Sequence, residues 1–311
     1  ADVLLSEANE SAVVVPLGYT LTRRAADGRP IYGGNTADFV LTNSAKKPFS
    51  QVYSLSLAKD YGNGVDWSLG YAYTNAKDTN PMTSSVAFSN FSNFQTRDPV
   101  NIPLATSDYE VAHRFTFNVN WELAWAEDWE TKLSLFGSVN EGQPYSYTVG
   151  SATFGNTSAL ETPFSSTRQL AYIPTSTTDP IIAPTSNAAA VAALMDFINN
   201  HEVLADYKGG IGPRNIATDD WYTKIDLRLS QNFPGFMGGD SFEGFMVLEN
   251  LANLLNDEWG LQREHGFPGS AVLYGVSSVD SAGRYVITSF NPRVDFDSIV
   301  VGASLWNVRF G

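Results

Sequence analysis

The chain has no cysteine among its 311 residues. That excludes a disulfide framework and thiol chemistry, and suits a periplasm-exposed protein as well as many cytosolic ones. Positive charge is also scarce: 19 Lys and Arg stand against 33 Asp and Glu, a net charge of −14. A nucleic-acid binder would show a basic face, so no nucleic-acid partner is expected. Many of the acids, among them Asp78, Asp98, Asp108, Glu161, Asp179 and Asp280, fall in or near connections rather than in strands. No apolar run reaches the ~18 residues of a membrane-crossing helix. No charged n-region precedes an apolar stretch in Ala1 to Glu7, so no signal peptide is read there.

Alternation is what the chain has in abundance. Phe115, Phe117, Val119, Trp121 and Leu123 alternate with Thr116, Asn118, Asn120 and Glu122. Strand side chains point to opposite faces with period two, so this segment has one apolar and one polar face. The pattern recurs in Val65 to Tyr73, Tyr53 to Leu57, Leu133 to Val139 (with Phe136 out of phase), Ile225 to Leu229 and Trp306 to Phe310. A soluble sheet with one solvated face explains the alternation as well as a strand between lipid and a wet lumen does.

The connections separate these readings. Residues 49–60 and 65–77 are joined by Tyr61-Gly62-Asn63-Gly64, a strong hairpin signal. Residues 109–123 and 129–140 meet around Glu127-Asp128, and residues 219–233 and 242–250 meet through residues 234–240. Between the hairpins lie long polar tracts at 23–48, 78–108, 141–218 and 251–298. Short turns on one side and long loops on the other are the habit of outer-membrane barrels. With 13–22 as a first strand and 299–311 as a last, about eight long strands result. Trp67, Trp121, Trp125, Trp129, Trp221 and Trp306, with Tyr53, Tyr71, Tyr73 and Tyr222, sit on or at the ends of these strands, as interface-seeking aromatics do. One helix is expected inside the longest loop, from Ala188 to Leu204, with Asn187 as its cap and Leu194, Phe197 and Ile198 on one face.

No catalytic constellation is visible. Asp219-Asp220 and Asp257-Glu258 are neighbours in exposed loops, not carboxylates converging on one point. His113, His201 and His265 lack metal-ligand spacing, and His113 reads as a hydrogen-bonding residue at the rim of the sheet. Lys208-Gly209-Gly210-Ile211-Gly212-Pro213 lacks the Lys-Ser/Thr of a phosphate cradle and reads as a plain loop. Asn156-Thr157-Ser158 matches a glycosylation sequon, which has little meaning in a bacterium. No enzyme activity, metal or cofactor is expected.

Several phrases together resemble a known family. They are Val40-Leu41-Thr42-Asn43-Ser44, Gly70-Tyr71-Ala72-Tyr73-Thr74-Asn75-Ala76-Lys77-Asp78, Ala105-Thr106-Ser107-Asp108-Tyr109, His113-Arg114-Phe115, Glu249-Asn250-Leu251-Ala252-Asn253-Leu254-Leu255-Asn256-Asp257, and the Trp306-x-x-Arg309-x-Gly311 ending. Over nearly the whole of residues 1–311 the chain resembles the C-terminal part of a TonB-dependent outer-membrane receptor of the Oar-like subgroup. The resemblance implies an all-β, antiparallel transmembrane β-barrel, of which this chain supplies the C-terminal portion, about eight long strands with long extracellular loops and one loop helix. It implies uptake of an unidentified solute across the bacterial outer membrane, with the TonB energy-coupling complex acting through a plug this chain does not contain. A surface protein whose long loops bind a partner or matrix is the alternative, and a soluble β-sandwich or lectin the third reading. Such barrels have about 22 strands, so the chain reads as a fragment, with open edges near 13–22 and 299–311. On the barrel reading Leu69, Tyr71, Phe115, Phe117, Val119, Trp121, Ile225 and Leu227 face lipid. Asn118, Asn120, Glu122, Lys224, Asp226 and Arg228 face the lumen.

Overall fold

A computed structural model describes residues 2–7, 12–16, 20–33, 39–99, 101–126, 129–150, 168–237 and 239–311. The Glu127-Asp128 turn, Glu161, the Asn156 sequon and residues 17–19 of the expected first strand lie outside the described residues.

Antiparallel ladders dominate. The main sheet is built from β1 (Asp2–Glu7), β2 (Phe49–Asp60), β3 (Val65–Asp78), β4 (His113–Ala126) and β5 (Trp129–Asn140). Two strands, β6 (Pro144–Gly150) and β7 (Ala217–Thr218), then leave it. It resumes with β8 (Tyr222–Pro234) and β9 (Ser241–Glu249). A second sheet takes β10 (Ser270–Val279) and β11 (Tyr285–Phe290), and the short β12 (Asn307–Phe310) returns to the main sheet. The main order is β1-β2-β3-β4-β5-β8-β9-β12, and β1 does not pair with β12. Among the described residues the main sheet is therefore open.

The hairpins form where turn chemistry demands them. Gly62 and Gly64 carry φ of 68° and 83°, a region that costs a side-chain-bearing residue. Gly64 also touches the Glu122 backbone and accepts its N–H at 2.7 Å, so a Cβ there would collide with β4. All short turns lie at one end of the sheet and all long connections at the other.

The expected edges are corrected. The first strand is Asp2–Glu7, paired with β2, whereas Ala12–Pro16 pairs with Phe39–Asn43 and Thr20–Arg24 with Pro30–Gly33. Residues 299–311 are not one strand: Ser298–Ile299 pairs with Arg263–Glu264, a helical turn covers Val301–Ser304, and only Asn307–Phe310 joins β9. The long expected helix exists over Ala188–Asn200, with the Asn187 side chain accepting from the N–H groups of Ala189 and Ala190. It stops at His201, which caps a separate turn over Glu202–Ala205. Three further short helices lie at Ala87–Ser92, Leu251–Leu255 and Val301–Ser304, so the single loop helix is also corrected.

The long connections are not merely polar tracts. They fold over the end of the main sheet into a cap with its own core. Its sheet has the order β7-β6-β10-β11, with β6 and β10 parallel. The helix Ala188–Asn200 buries Val191, Leu194 and Ile198 in this core beside Tyr147, Leu273, Tyr285 and Ile287. No residue of the main-sheet strands belongs to this core. Leu248 is the one buried apolar side chain in those strands among the described residues.

Asn250 ties cap to sheet at the end of β9. It is fully buried with φ 54°, a left-handed conformation that Asn tolerates better than most residues. Its N–H donates to Asp226 Oδ1 at 2.8 Å, and its amide donates to the carbonyls of Gly260 at 3.0 Å and Ser304 at 2.7 Å. Asn250→Ala orphans two carbonyls and strains the turn. Denaturant titration of the protein should show a loss of about 3 kcal/mol from unsatisfied polar groups and backbone strain. A loss under ~0.5 kcal/mol would mean that Asn250 does not hold this junction.

Candidate membrane-facing surface and its loop cap

Register places the apolar positions side by side. Leu57 faces Leu69, Leu69 faces Phe117, Tyr71 faces Phe115, and Trp67 faces Val119. Trp121 faces Leu133, Val119 faces Leu135, and Phe117 faces Gly137, over which its ring lies. Gly137 faces Ile225, Leu135 faces Leu227, Leu227 faces Leu248, and Leu248 faces Val308. One apolar face thus runs unbroken from β2 to β12. Leu69, Phe115, Val119 and Trp121 are 37–48% exposed, while Tyr71, Phe117, Ile225 and Leu227 are half-buried against neighbours. Among the described residues no second sheet is stacked on this face.

Aromatic rings mark its two ends. At the cap end Tyr71 packs on Phe115 at 4.7 Å between ring centres and hydrogen-bonds to His113 Nδ1 at 2.8 Å. Tyr73 and Trp221 flank His113 at 5.2 and 6.0 Å, and Tyr53 joins Tyr73 at 6.3 Å. At the short-turn end Trp125, Trp129 and Phe233 form a chain with spacings of 5.3 and 5.4 Å, and Phe236 stands against Phe242 at 5.3 Å. Between the bands the large side chains of the face are mostly aliphatic, with Trp67, Phe117 and Trp121 among them.

The opposite face collects the polar set. Asn120 donates to Asp66 at 2.8 Å, and Lys132 bridges Glu122 at 3.6 Å and Glu130 at 2.9 Å. Arg228 donates to Glu243 at 2.5 Å and lies over the Phe245 ring. Asn118 and Asp226 flank Phe136 on this face, and Lys224 faces Ser138. Phe136, Phe245 and Val247 are the apolar intruders.

Within the cap, two histidines meet carboxylates far away in sequence. Asp219 is buried, not on an exposed loop as its sequence context suggests. It accepts from the N–H of His265 at 3.0 Å and from His265 Nδ1 at 2.6 Å. The other nitrogen, Nε2, faces the carbonyl of Val294 at 3.1 Å. Both ring nitrogens face acceptors, an arrangement that favours the doubly protonated imidazolium over either neutral tautomer. Burial alone would lower its pKa; the hydrogen bonds to Asp219 and Val294, with the fields of Asp219 and Asp297, raise it above the ordinary value. Tyr145 stacks on the ring at 3.9 Å, and Arg263 pairs with Asp297 at 3.4 Å.

His201 is set differently. Its Nδ1 accepts from the N–H of Leu204 at 3.1 Å, which places the ring proton on Nε2. Nε2 donates to the Tyr147 hydroxyl at 2.9 Å, and Tyr147 donates to Asp295 at 2.6 Å. Burial opposes charge on Asp295, but the hydrogen bonds from His201 and Tyr147 hold its carboxyl below the usual range. Tyr145, bonded to Tyr147 at 3.1 Å, is pushed up to about 12 chiefly by burial.

A third tie starts at Arg29, which is fully buried and donates to Gln169 at 2.8 Å and to the Leu170 carbonyl at 2.5 Å. Its ion partner Asp27 accepts from Tyr285 at 2.6 Å. Sequence reasoning missed Asn250, Arg29 and both His–Asp pairs, because the partners sit on separate connections. These groups tie separate connections to one another. Among the described residues no cluster of His, Cys, Asp or Glu could hold a metal. Comparison with protein-family models, curated proteins and solved structures gives no match.

The His265 pair sets a pH dependence. A folded pKa raised above the unfolded value of ~6.5 gives stability that is full below that value and lost as pH rises through the folded pKa. Melting temperature should therefore fall between mildly acid and alkaline pH, with a flatter profile in His265→Gln. Identical profiles for the two proteins would contradict the imidazolium assignment.

Proposed function

We propose that this chain is part of an outer-membrane β-barrel, with the face of Leu69, Phe117, Val119 and Leu227 in lipid and the face of Asn118, Asn120 and Lys224 toward a wet lumen. We place it in the C-terminal part of a TonB-dependent receptor of the Oar-like group that imports a solute. The observation that carries this reading is the unbroken apolar face between two aromatic bands. From Phe115 to Trp125 is about 33 Å along a strand at ~3.3 Å per residue. Tilted by ~40°, that spans about 25 Å, the height of the apolar band in such barrels. The placement of every long connection at one end supports the same reading.

Open outer strands imply further strands to pair with, because unsatisfied backbone groups inside a bilayer cost several kcal/mol each. The plug and the TonB contact belong to that remainder on this reading. A second reading is a surface protein that binds a partner without transport. It is favoured by one feature: the cap has a packed core, so its outer surface is shaped rather than loose. A plug and a TonB-contacting segment in the polypeptide preceding Ala1 would select uptake.

The lipid assignment is tested by two substitutions in the intact protein. Leu227→Arg should reduce insertion stability by roughly 2–4 kcal/mol near the bilayer midplane, and Asn118→Ala should change it by less than ~1 kcal/mol. Equal losses, read by folding into lipid vesicles across a urea series, would contradict the face assignment.

A further inference from the structure

We infer that a cleft in the cap, between residues 95–105 and 211–214, binds a small carboxylate with an apolar body. The cleft has a volume of about 210 Å³. Its walls are apolar: Ile102, Pro103 and Leu104 from one connection, and Leu170, Ile211 and Pro213 from another. The second wall is the Gly-rich tract that lacks the marks of a phosphate cradle.

Charge is what sets the cleft apart. In a chain with 33 acidic and 19 basic residues, the lining contributed by the described residues contains two arginines and no acid. Arg214 is 4% exposed. Its Nη2 is held by the Asp78 carboxylate and by the Thr106 carbonyl at 3.3 Å. Its Nε and Nη1 are buried and have no acceptor. Buried N–H groups without partners carry a desolvation cost, while the Asp78 and Asp108 carboxylates offset part of the Arg214 charge from behind the wall. Arg97 is exposed, and the hydrogen bond it makes is a weak one, at 3.4 Å to the backbone carbonyl of Asp27. No carboxylate among the described residues pairs with it.

The other polar groups are committed. The Gln95 amide donates to the Pro268 carbonyl at 2.8 Å and to Ser270 at 2.6 Å, and the Thr96 hydroxyl donates to the Asp98 carbonyl at 3.0 Å. An incoming ligand therefore meets guanidinium charge and hydrocarbon. A guanidinium matches a carboxylate with paired, charge-assisted hydrogen bonds. The apolar walls add affinity only for a ligand with a hydrocarbon body, and disfavour a strongly hydrated ion such as phosphate. In the assignment Arg97 holds the carboxylate at the mouth, Arg214 supplies field from behind, and Leu104 and Ile211 take the body. Two sources share this chemistry: a free short aliphatic acid, and the apolar carboxy-terminal residue of a peptide.

The inference concerns binding and stands whether or not the protein transports. Calorimetric titration of the intact protein with sodium hexanoate and with N-acetyl-leucine separates the two sources. Hexylamine and inorganic phosphate serve as controls for charge and for hydrocarbon. At least one of the two carboxylates should bind saturably, with hexylamine and phosphate inert. Arg97→Gln should weaken that binding by about tenfold, the scale of one lost charge-assisted contact, with its melting temperature unchanged. Leu104→Asp should also abolish it. Failure of both carboxylates to bind below ~10 mM would overturn the assignment. So would equal binding of hexylamine, or unchanged affinity in Arg97→Gln.

Discussion

An apolar sheet face on which none of the described residues packs a second sheet is the constraint on which the rest of the structure depends. Period-two side chains held in register over seven consecutive strands, from Leu57 and Leu69 across to Leu248 and Val308, gather most of the large aliphatic residues on one side. In a sandwich a second sheet would cover that side, at roughly 25 cal/mol per Å² of apolar surface removed from water. Here the buried core lies elsewhere, and among the described residues Leu248 is the single apolar side chain of the main strands that is buried. Monomeric soluble proteins rarely expose an apolar patch beyond a few hundred Å². A surface of this extent calls for a covering medium, and the aromatic bands at its two ends fit a bilayer of limited thickness.

The cap answers the opposite problem. Connections as long as those after β1, β5 and β9 would lose much conformational entropy if each were ordered alone. They order one another instead, through a shared apolar core and three polar ties. Arg29 joins residues 25–31 to the stretch around Leu170, His265 joins Asp219 to Val294, and Asn250 joins the end of β9 to Gly260 and Ser304. Buried charges of this kind add little net stability but strongly penalise the wrong arrangement, since breaking one leaves an uncompensated charge. The same logic leaves the Arg214 wall, with its unpartnered N–H groups, as a place in the cap where such compensation is incomplete.

Legibility in the sequence followed exposure. β2 and β5 match the alternation at both ends, and β3, β8 and β9 differ by one to three residues, because their two faces meet different surroundings and the sequence alternates accordingly. β4 begins at His113 rather than at residue 109, since Tyr109 and Glu110 belong to a turn closed on Ser107. The cap sheet was not legible. Leu273 to Val276 is buried on both faces and shows no alternation, and its parallel partner lies over a hundred residues earlier in the chain. The helix was legible through its Asn187 cap and its apolar stripe, but its break at His201 depends on a tertiary bond to Tyr147. The site residues divided the same way: the two faces could be assigned to strands from pattern alone, whereas Asp219, His265 and Arg214 gain their roles only from partners brought by folding.

The absence of cysteine makes the central claim directly measurable. Single cysteines introduced in turn from Thr116 to Leu123 can carry a spin label whose collisions with oxygen report lipid and with a nickel chelate report water. The account predicts that Phe117, Val119, Trp121 and Leu123 favour oxygen while Thr116, Asn118, Asn120 and Glu122 favour nickel, in strict alternation in the intact protein in bilayers. Equal accessibility on the two faces, or protection of the odd-numbered face from both reagents by a packed protein layer, would contradict it.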